Sequence, residues 1–473
     1  MFPSFQIIQG GMGAGVSGWR LARAVSQAGQ LGVVSGTAVD VILARQLQMG
    51  DTTGDLRRAL DALPMPGVAG RVLQRYFIAG GKKDTSSFRP VPMMSHEPSL
   101  FSKELAIAAA FVFIFLAKEN HSHPVGLNLL EKIQLPTLLL LFGAMLAGVD
   151  VVLMGAGIPR QIPALLDRLA AGEEGQLKLD VTGGDVRVSL NPLDFVSPDV
   201  LAGLKRPRFL AIVSSPVLAK HLAQKCGDGI DGWVVEHHTA GGHNAPPRGR
   251  QPLSSSGEPV YSERDEINAA DFTALGKPFW LAGGCGRPGA LMKAREAGAA
   301  GIQVGTLFAF CEESGLDPAI KEQVLEAAQK GTLTVFTDPK ASPTRFPFKV
   351  VGLPGTLSES DVYDRRERIC DIGLLRECTQ KLDGSVVWRC PSEPEEVYAK
   401  KGGCMEDTPG RMCLCNALMA GIGLGQRRDD YLEPALLTAG DDLVRLGTLM
   451  PGRDRISATD VLDVLLTEPS IPG

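Results

Sequence analysis

The sequence predicts an α/β protein built on a (β/α)8 barrel, the TIM barrel fold. Short apolar, β-branched runs alternate with longer helical stretches, which is the pattern of strand and helix units around a parallel sheet. Several of these runs end in Gly, Ser or His, as barrel strands that face a binding site do. Glycine pairs and triplets follow the later runs. The eight predicted strands are 6–9, 31–34, 125–130, 149–154, 208–214, 231–237, 278–282 and 301–305.

Helical stretches fill the gaps between the predicted strands. The clearest are 19–28, 158–171, 217–225 and 288–297. Pro288 would stand in the first turn of the last of these, where its missing N–H costs nothing, and Gly298 would follow its end. The order of elements therefore predicts a parallel barrel over residues 1–315, with the strand ends gathered at one mouth.

Two stretches exceed what a minimal barrel needs. The first is an insertion of about 51–124 after the second strand, which we interpret as a candidate lid. It contains an uncharged apolar run at 105–117, too short for the roughly 20 residues of a membrane helix. We expect a buried helix there, with a hydrophobic substrate channel as the alternative. The second stretch, 316–473, is predicted to be a mainly helical, cysteine-rich C-terminal extension.

Composition excludes several classes of protein. The chain has 44% hydrophobic and 21% charged residues, which is typical of a soluble globular protein. A formal net charge of -5 argues against nucleic acid as a partner. The N-terminus shows no basic region ahead of an apolar segment, so we expect a cytoplasmic protein. As partners we expect a small-molecule substrate and O2, no nucleic acid and no membrane, with a homodimer left open.

Three glycine motifs carry the functional signal. They are Gly241-Gly242-His243, then Gly283-Gly284, and finally Gln303 with Gly305-Thr306. Each follows a predicted strand. Bare backbone N–H groups at such positions can approach an anion closely, because no side chain intervenes. The sequence therefore predicts a phosphate-bearing ligand at the barrel mouth, with an imidazole beside it.

Further motifs make the chain resemble a known family, the FMN-dependent nitronate monooxygenases (2-nitropropane dioxygenases) and the related flavin-dependent enoyl-acyl-carrier-protein reductases. These motifs are Ile8 to Gly13, then Ala24 to Gly29, Leu31 to Gly36 and Gly126 to Leu129. The resemblance covers roughly 6–310, apart from the insertion. It implies that the ligand is FMN.

The resemblance also assigns roles to residues. Asn128 lies in an apolar strand, where an unpaired amide would cost roughly 1–3 kcal/mol, so it bonds either the flavin or another strand end. His243 is the implied catalytic residue, since an imidazole with a pKa near 6.5 can take a proton or bond an anionic oxygen. The implied cofactor-binding residues are Gly10, Met12, Gly13, Asn128, Glu236, Gly241, Gly242, Gly283, Gly284, Gln303, Gly305 and Thr306.

The histidines next to Glu236 depart from the family pattern. His237 and His238 follow it directly and stand close to His243, which invites a metal-binding interpretation. Adjacent residues of a strand point to opposite faces, so we expect that the two do not share an ion and that no metal binds here.

Six of the nine cysteines lie between Cys370 and Cys415. The spacing contains no C-x-x-C pair, so it indicates neither a zinc ribbon nor a ferredoxin-type cluster by pattern. Buried unpaired thiols, a zinc or iron-sulfur site and a redox-active pair all remain open.

The resemblance favours an enzyme that oxidises alkyl nitronates with O2 through FMN. The alternative enzyme is an FMN-dependent reductase that takes hydride from NAD(P)H and delivers it to an enoyl thioester or a quinone. An alternative of another class is a non-catalytic barrel that binds flavin or a partner. Retention of His243 with the phosphate glycines argues against this last alternative.

Overall fold

A computed structural model describes residues 5–249, 252–381 and 383–467. Its main sheet has eight parallel strands, each within two residues of a predicted one, in the order β1-β11-β10-β9-β8-β4-β3-β2. The bridge between Ile8 and Leu31 joins the two edge strands. The predicted TIM barrel is therefore confirmed. The barrel strands are β1 Ile7–Gln9, β2 Gly32–Ser35, β3 Val125–Leu130, β4 Val151–Gly155, β8 Arg208–Val213, β9 Gly232–Glu236, β10 Phe279–Ala282 and β11 Gly301–Val304.

Apolar side chains fill the inside of the barrel. Phe5 stacks on Trp280 with ring centroids 5.2 Å apart, and both are buried. Ile8, Val151 and Leu210 belong to the same cluster. The interior is thus a packed core, and space for a ligand is left only at the ends of the strands.

Helices surround the barrel and continue into the insertion. They are α1 Trp19–Gln27, α2 Val39–Gln48, α3 Asp55–Asp61, α4 Val68–Tyr76, α5 Leu100–Lys118, α6 Thr137–Leu146, α7 Ile162–Ala170, α8 Pro198–Ala202, α9 Pro216–Cys226, α10 Ala269–Thr273, α11 Ala290–Glu296 and α12 Thr306–Ala309. Between α7 and α8 the chain forms three short strands, β5 Gly175–Lys178, β6 Val181–Thr182 and β7 Arg187–Leu190.

The apolar run of the insertion forms α5, a buried helix of 19 residues. By length and hydropathy α5 could cross a membrane, but it packs between α1 and α6 in the helix ring. A side chain at Gly143 of α6 would collide with the backbone oxygen of Ile107. This close approach explains a glycine inside a helix and identifies α5 as the barrel helix between β2 and β3.

The rest of the insertion lies outside this helix. Helices α3 and α4 pack against α5. The Phe88 N–H donates to the side-chain oxygen of Gln426 at 2.8 Å, and the Gln426 amide donates back to the Phe88 carbonyl oxygen at 3.1 Å. The insertion is therefore anchored to the C-terminal extension.

The C-terminal extension combines short helices, small sheets and irregular segments. Its helices are α13 Pro318–Lys330, α14 Ser360–Arg365, α15 Glu395–Lys400, α16 Leu414–Ala420, α17 Leu446–Leu449 and α18 Ala458–Leu466. Its strands are β12 Thr334–Asp338, β13 Phe348–Gly352, β14 Glu377–Gln380, β15 Val386–Arg389, β16 Arg427–Arg428 and β17 Tyr431–Leu432. Strand β14 also pairs with β6 of the barrel region.

Helix α18 has a particular place in this arrangement. It packs against α1, α11 and α12 with Val461, Leu462 and Leu465 buried. The helix that directly follows the eighth strand, α12, has only four residues. The extension thus supplies the helix that covers the junction between the last barrel strand and the first.

Two predicted helix starts were wrong. Helix α7 begins at Ile162, whereas its predicted start was 158. Helix α11 begins at Ala290, after Gly289 in a left-handed conformation with φ of 75°. Pro288 therefore precedes the helix and does not form part of its first turn. The glycine that allows this sharp entry is the stronger local signal.

Candidate active site

All the residues assigned to a site from the sequence line one cavity of about 1480 Å³ at the carboxyl ends of the barrel strands. The first strand contributes Gly10, Met12 and Gly13, and the third contributes Asn128. The other nine lie on β9 and β11 or in the loops that follow β9, β10 and β11. The topology brings them together because parallel strands end at the same face of the barrel.

The loop after β1 is held rigidly by buried polar side chains. The Ser17 hydroxyl accepts from the Met12 N–H at 2.8 Å and donates to the Gly10 carbonyl at 2.8 Å. The Gln9 side chain donates to Ser17 at 2.8 Å. A Cβ on Gly11 would overlap the side chain of Asn128, so this loop lies directly on β3.

Two amide side chains reach the cavity from β3 and β11 and lie next to the loop after β1. Asn128 is buried on β3. Gln303 lies on β11, and its Oε1 atom is buried without a hydrogen-bond partner among the described residues. An orphaned acceptor of this kind costs free energy unless a ligand donates to it. A flavin, which carries a ring N–H and ribityl hydroxyls, fits that requirement.

The loop after β10 requires glycine. Gly283 and Gly284 have φ values of 88° and 67°. A Cβ on Gly283 would lie 2.9 Å from the carbonyl oxygen of His237 and 3.0 Å from the Thr239 hydroxyl. The bare backbone leaves room for an anion next to these N–H groups, as in other phosphate cradles.

A segment of the extension, residues 438–442, also lines the cavity. The Thr438 hydroxyl accepts from the Gly242 N–H at 2.8 Å, and the Gly440 N–H donates to Thr306 Oγ1 at 2.8 Å. The Asp442 carboxylate accepts from the Gly286 N–H at 2.7 Å. The extension is therefore part of the site.

His243 lies between the barrel and the extension. Its Nε2 atom is 2.7 Å from the Ser342 hydroxyl, and the ring meets Phe348 edge-on at 4.9 Å. Burial lowers the pKa of His243 to about 4. This is below the unperturbed value near 6.5, so at neutral pH the imidazole is uncharged.

Glu236 is a carboxyl group of the cavity whose pKa lies near neutral pH. It ends β9, and burial raises its pKa to about 7. Charged carboxylate is disfavoured there because the site replaces water with apolar neighbours. Glu236 can therefore hold a proton at physiological pH and release it, which is the property of a general acid.

The side chains of His237 and His238 were expected to point to opposite faces, and this was wrong. The rings of His237 and His238 lie 4.0 Å apart, because both follow the last residue of β9 and are free of strand alternation. With Glu266 they offer ligand atoms within 4.8 Å of one another. His238 also stacks on Tyr261 at 3.9 Å, and burial lowers its pKa to about 4.

Sequence reasoning missed the apolar wall of the cavity. Barrel residues contribute a smaller part of it, and the extension contributes most. Among the described residues that line the cavity there is no lysine or arginine, and none comes from 51–124. Only the periodic hydrophobicity of the extension could have indicated its part in the site. The wall consists of Leu130, Ile133, Ile212, Phe348, Leu374, Leu375, Leu414 and Leu418.

Comparisons with known proteins agree with this site. Residues 175–346 match the family model described as nitronate monooxygenase. No curated protein sequence matches the chain. The match therefore supports the resemblance through the part of the chain that carries Glu236, His243 and the phosphate glycines.

Several solved structures are similar to the chain at low identity. FabK from Thermotoga maritima is 16% identical with a TM-score of 0.48, covering 98% of this chain and 92% of that one. A nitroalkane oxidase from Streptomyces ansochromogenes is 15% identical with a TM-score of 0.44, covering 98% and 94%. The enoyl reductase domain of MlnA from the macrolactin cluster of Bacillus amyloliquefaciens is 13% identical with a TM-score of 0.46, covering 98% and 94%. The barrel assignment rests on the strand pairing itself.

Proposed function

We propose that this flavin-dependent oxidoreductase, which resembles the nitronate monooxygenase family, binds FMN and reduces the carbon-carbon double bond of an enoyl thioester with hydride from NAD(P)H. The observation that carries the proposal is the character of the cavity wall. It is extended and apolar, and the acidic side chains among the described lining residues are Glu236 and Asp442.

The cofactor part of the proposal rests on the orphaned acceptor and the glycine loops. Gln303 and Asn128 would bond the ring system, and the backbone of Gly283, Gly284, Gly305 and Thr306 would hold the phosphate. Bound there, FMN supplies hydride transfer in both directions.

The substrate part rests on electrostatics. A negatively charged substrate would enter a cavity that offers no cationic side chain and two carboxyl groups, which costs free energy in a site of low dielectric. A neutral acyl chain instead buries apolar surface against Leu374, Leu414 and Leu418, at about 25 cal/mol per Å². The wall therefore favours an uncharged, extended substrate.

The proton that such a reduction needs has a source in the chain. Hydride adds to the β-carbon of the thioester, and a proton must reach the α-carbon. Glu236, with its pKa raised to about 7, holds a proton that it can deliver at neutral pH. His243, held by Ser342, would orient the thioester carbonyl as a neutral hydrogen-bonding group.

Oxidation of alkyl nitronates with O2 is the second candidate, and the family-model match favours it. In that reaction neutral His243 would bond the nitronate oxygen. The absence of a cation among the described lining residues makes the site less suited to this anion.

Anaerobic flavin spectra discriminate between the two reactions. We expect NADPH or NADH to bleach the bound flavin, and a crotonyl thioester to restore its absorbance without O2. Propyl-2-nitronate should have little effect. Bleaching by the nitronate alone would replace the reductase proposal with the monooxygenase. The variant Glu236→Gln should still be bleached by NAD(P)H but should be reoxidised slowly by the thioester, which separates hydride uptake from proton delivery.

A further inference from the structure

Four cysteines of the extension surround a second, smaller cavity. Cys370, Cys390, Cys413 and Cys415 all line a small, partly open cavity whose empty space, including solvent, is about 300 Å³. They come from three separate segments of the chain, and all nine cysteines are free thiols. Thiols that only pack as small apolar groups have no reason to converge on one cavity, so this grouping points to a ligand.

Two other buried cysteines show the ordinary behaviour. Cys311 is fully buried in the main hydrophobic core, and Cys378 is 4% exposed on β14. Neither lines the second cavity. Burial alone therefore does not account for the grouping of the other four.

Sulfur binds zinc and iron as a thiolate, so a metal in this cavity would displace the protons of the four thiols. Charged side chains also line the cavity, namely Arg376, Asp371 and Glu393. The arginine would offset part of the negative charge of a thiolate shell.

The size of the space distinguishes between metals. Zn–S bonds of about 2.3 Å bring the four sulfurs of a tetrahedral zinc site to within about 4 Å of one another. Within the described parts of the chain, the group of side chains with ligand atoms inside 4.8 Å is His237, His238 and Glu266, and it includes no cysteine. The wider separation of the sulfurs leaves room for a cluster between them.

We infer that Cys370, Cys390, Cys413 and Cys415 form a binding site for a [4Fe–4S] cluster. The inference is independent of the substrate proposed above, because it concerns the metal content of the chain. Leu375, Leu414 and Cys415 line both this cavity and the one at the barrel mouth. The cluster would therefore lie one layer of side chains away from the flavin cavity.

The test is elemental analysis of the full chain, produced with ample iron and purified without oxygen. We expect about four iron atoms and four acid-labile sulfides per chain, and an electron paramagnetic resonance signal after reduction with dithionite. Cys390→Ser and Cys413→Ser should each lose most of the iron and sulfide. Cys378→Ser is the matched control, since it removes a buried thiol of the same extension outside the cavity, and it should keep both.

Folding is followed separately through flavin content. If Cys390→Ser or Cys413→Ser does not fold, Cys370→Ser replaces a less buried ligand and should lose the cluster while keeping flavin. Stoichiometric zinc without sulfide would overturn the inference, as would a flavin-loaded protein without metal. Equal iron in the cavity variants and in Cys378→Ser would also overturn it.

Discussion

Replacing Gly283 by alanine tests where the cofactor phosphate is held. Gly283 has φ of 88°, a conformation that costs an L-residue about 1–2 kcal/mol. Its new Cβ would lie 2.9 Å from the His237 oxygen, whereas ordinary contact begins at 3.4 Å, so the loop must retreat by about 0.5 Å. That movement takes backbone N–H groups away from the phosphate.

The size of the effect follows from the bond that is weakened. A hydrogen bond to a charged group contributes about 1.5–3 kcal/mol, so Gly283→Ala should raise the Kd for FMN roughly 10- to 100-fold. Gly276→Ala is the control. Gly276 also has a left-handed φ of 67°, but a Cβ there meets nothing within 4 Å. The variant Gly276→Ala should lose a similar free energy of unfolding and keep its affinity for FMN.

The assay is titration of the apoprotein with FMN, followed by the quenching of flavin fluorescence, together with thermal unfolding of both variants. Equal Kd values for Gly283→Ala and Gly276→Ala would refute this placement of the phosphate. If both variants melt at a lower temperature but only Gly283→Ala binds FMN more weakly, the effect of backbone strain is separated from the effect of cofactor contact.

Three further predictions concern the cavity. Folded Glu236 keeps its proton up to about pH 7, whereas the unfolded chain releases it near pH 4.5, so the contribution of Glu236 to stability falls as pH rises through that window. Denaturation of the apoprotein should therefore show that Glu236→Gln is more stable than wild type by up to about 3 kcal/mol at pH 7.5. At pH 4 the two proteins should be equally stable. Ser342→Ala removes the partner of His243 Nε2 and should lower kcat about tenfold with unchanged flavin content, restored in part by Ser342→Thr; a kcat like that of wild type would exclude a positioning role. Leu374→Ala should raise KM about tenfold for a long acyl thioester and much less for the crotonyl thioester, because only the longer chain reaches the apolar wall; an equal change for both would place the acyl chain elsewhere.

The barrel could be predicted from the sequence because its signals are local. Apolar, β-branched runs are visible within a few residues, and each of the eight lies within two residues of an observed strand. The predicted cavity residues came together for the same reason, since strand ends of a parallel barrel share one face. Boundaries that depend on a single left-handed residue, as at Gly289, were less visible.

The contribution of the extension could not be predicted, because it depends on packing between distant segments. Ser342 reaches His243 across 99 residues, and Asp442 reaches Gly286 across 156 residues. The four cysteines of the second cavity have no motif spacing, so only the folded chain shows that they share a space. The same limit explains why the lid was expected in the insertion, although the described cavity lining comes from the barrel and the extension.

The position of α18 has a consequence for synthesis of the chain. Its first residue, Ala458, is made 154 residues after Val304 completes the eighth strand. At about 5–20 residues per second, the ribosome needs roughly 8 to 30 s to reach it. During that time the faces of α1, α11 and α12 against which α18 packs lack their partner. The ring of helices around the barrel is therefore complete only after translation has passed Leu466.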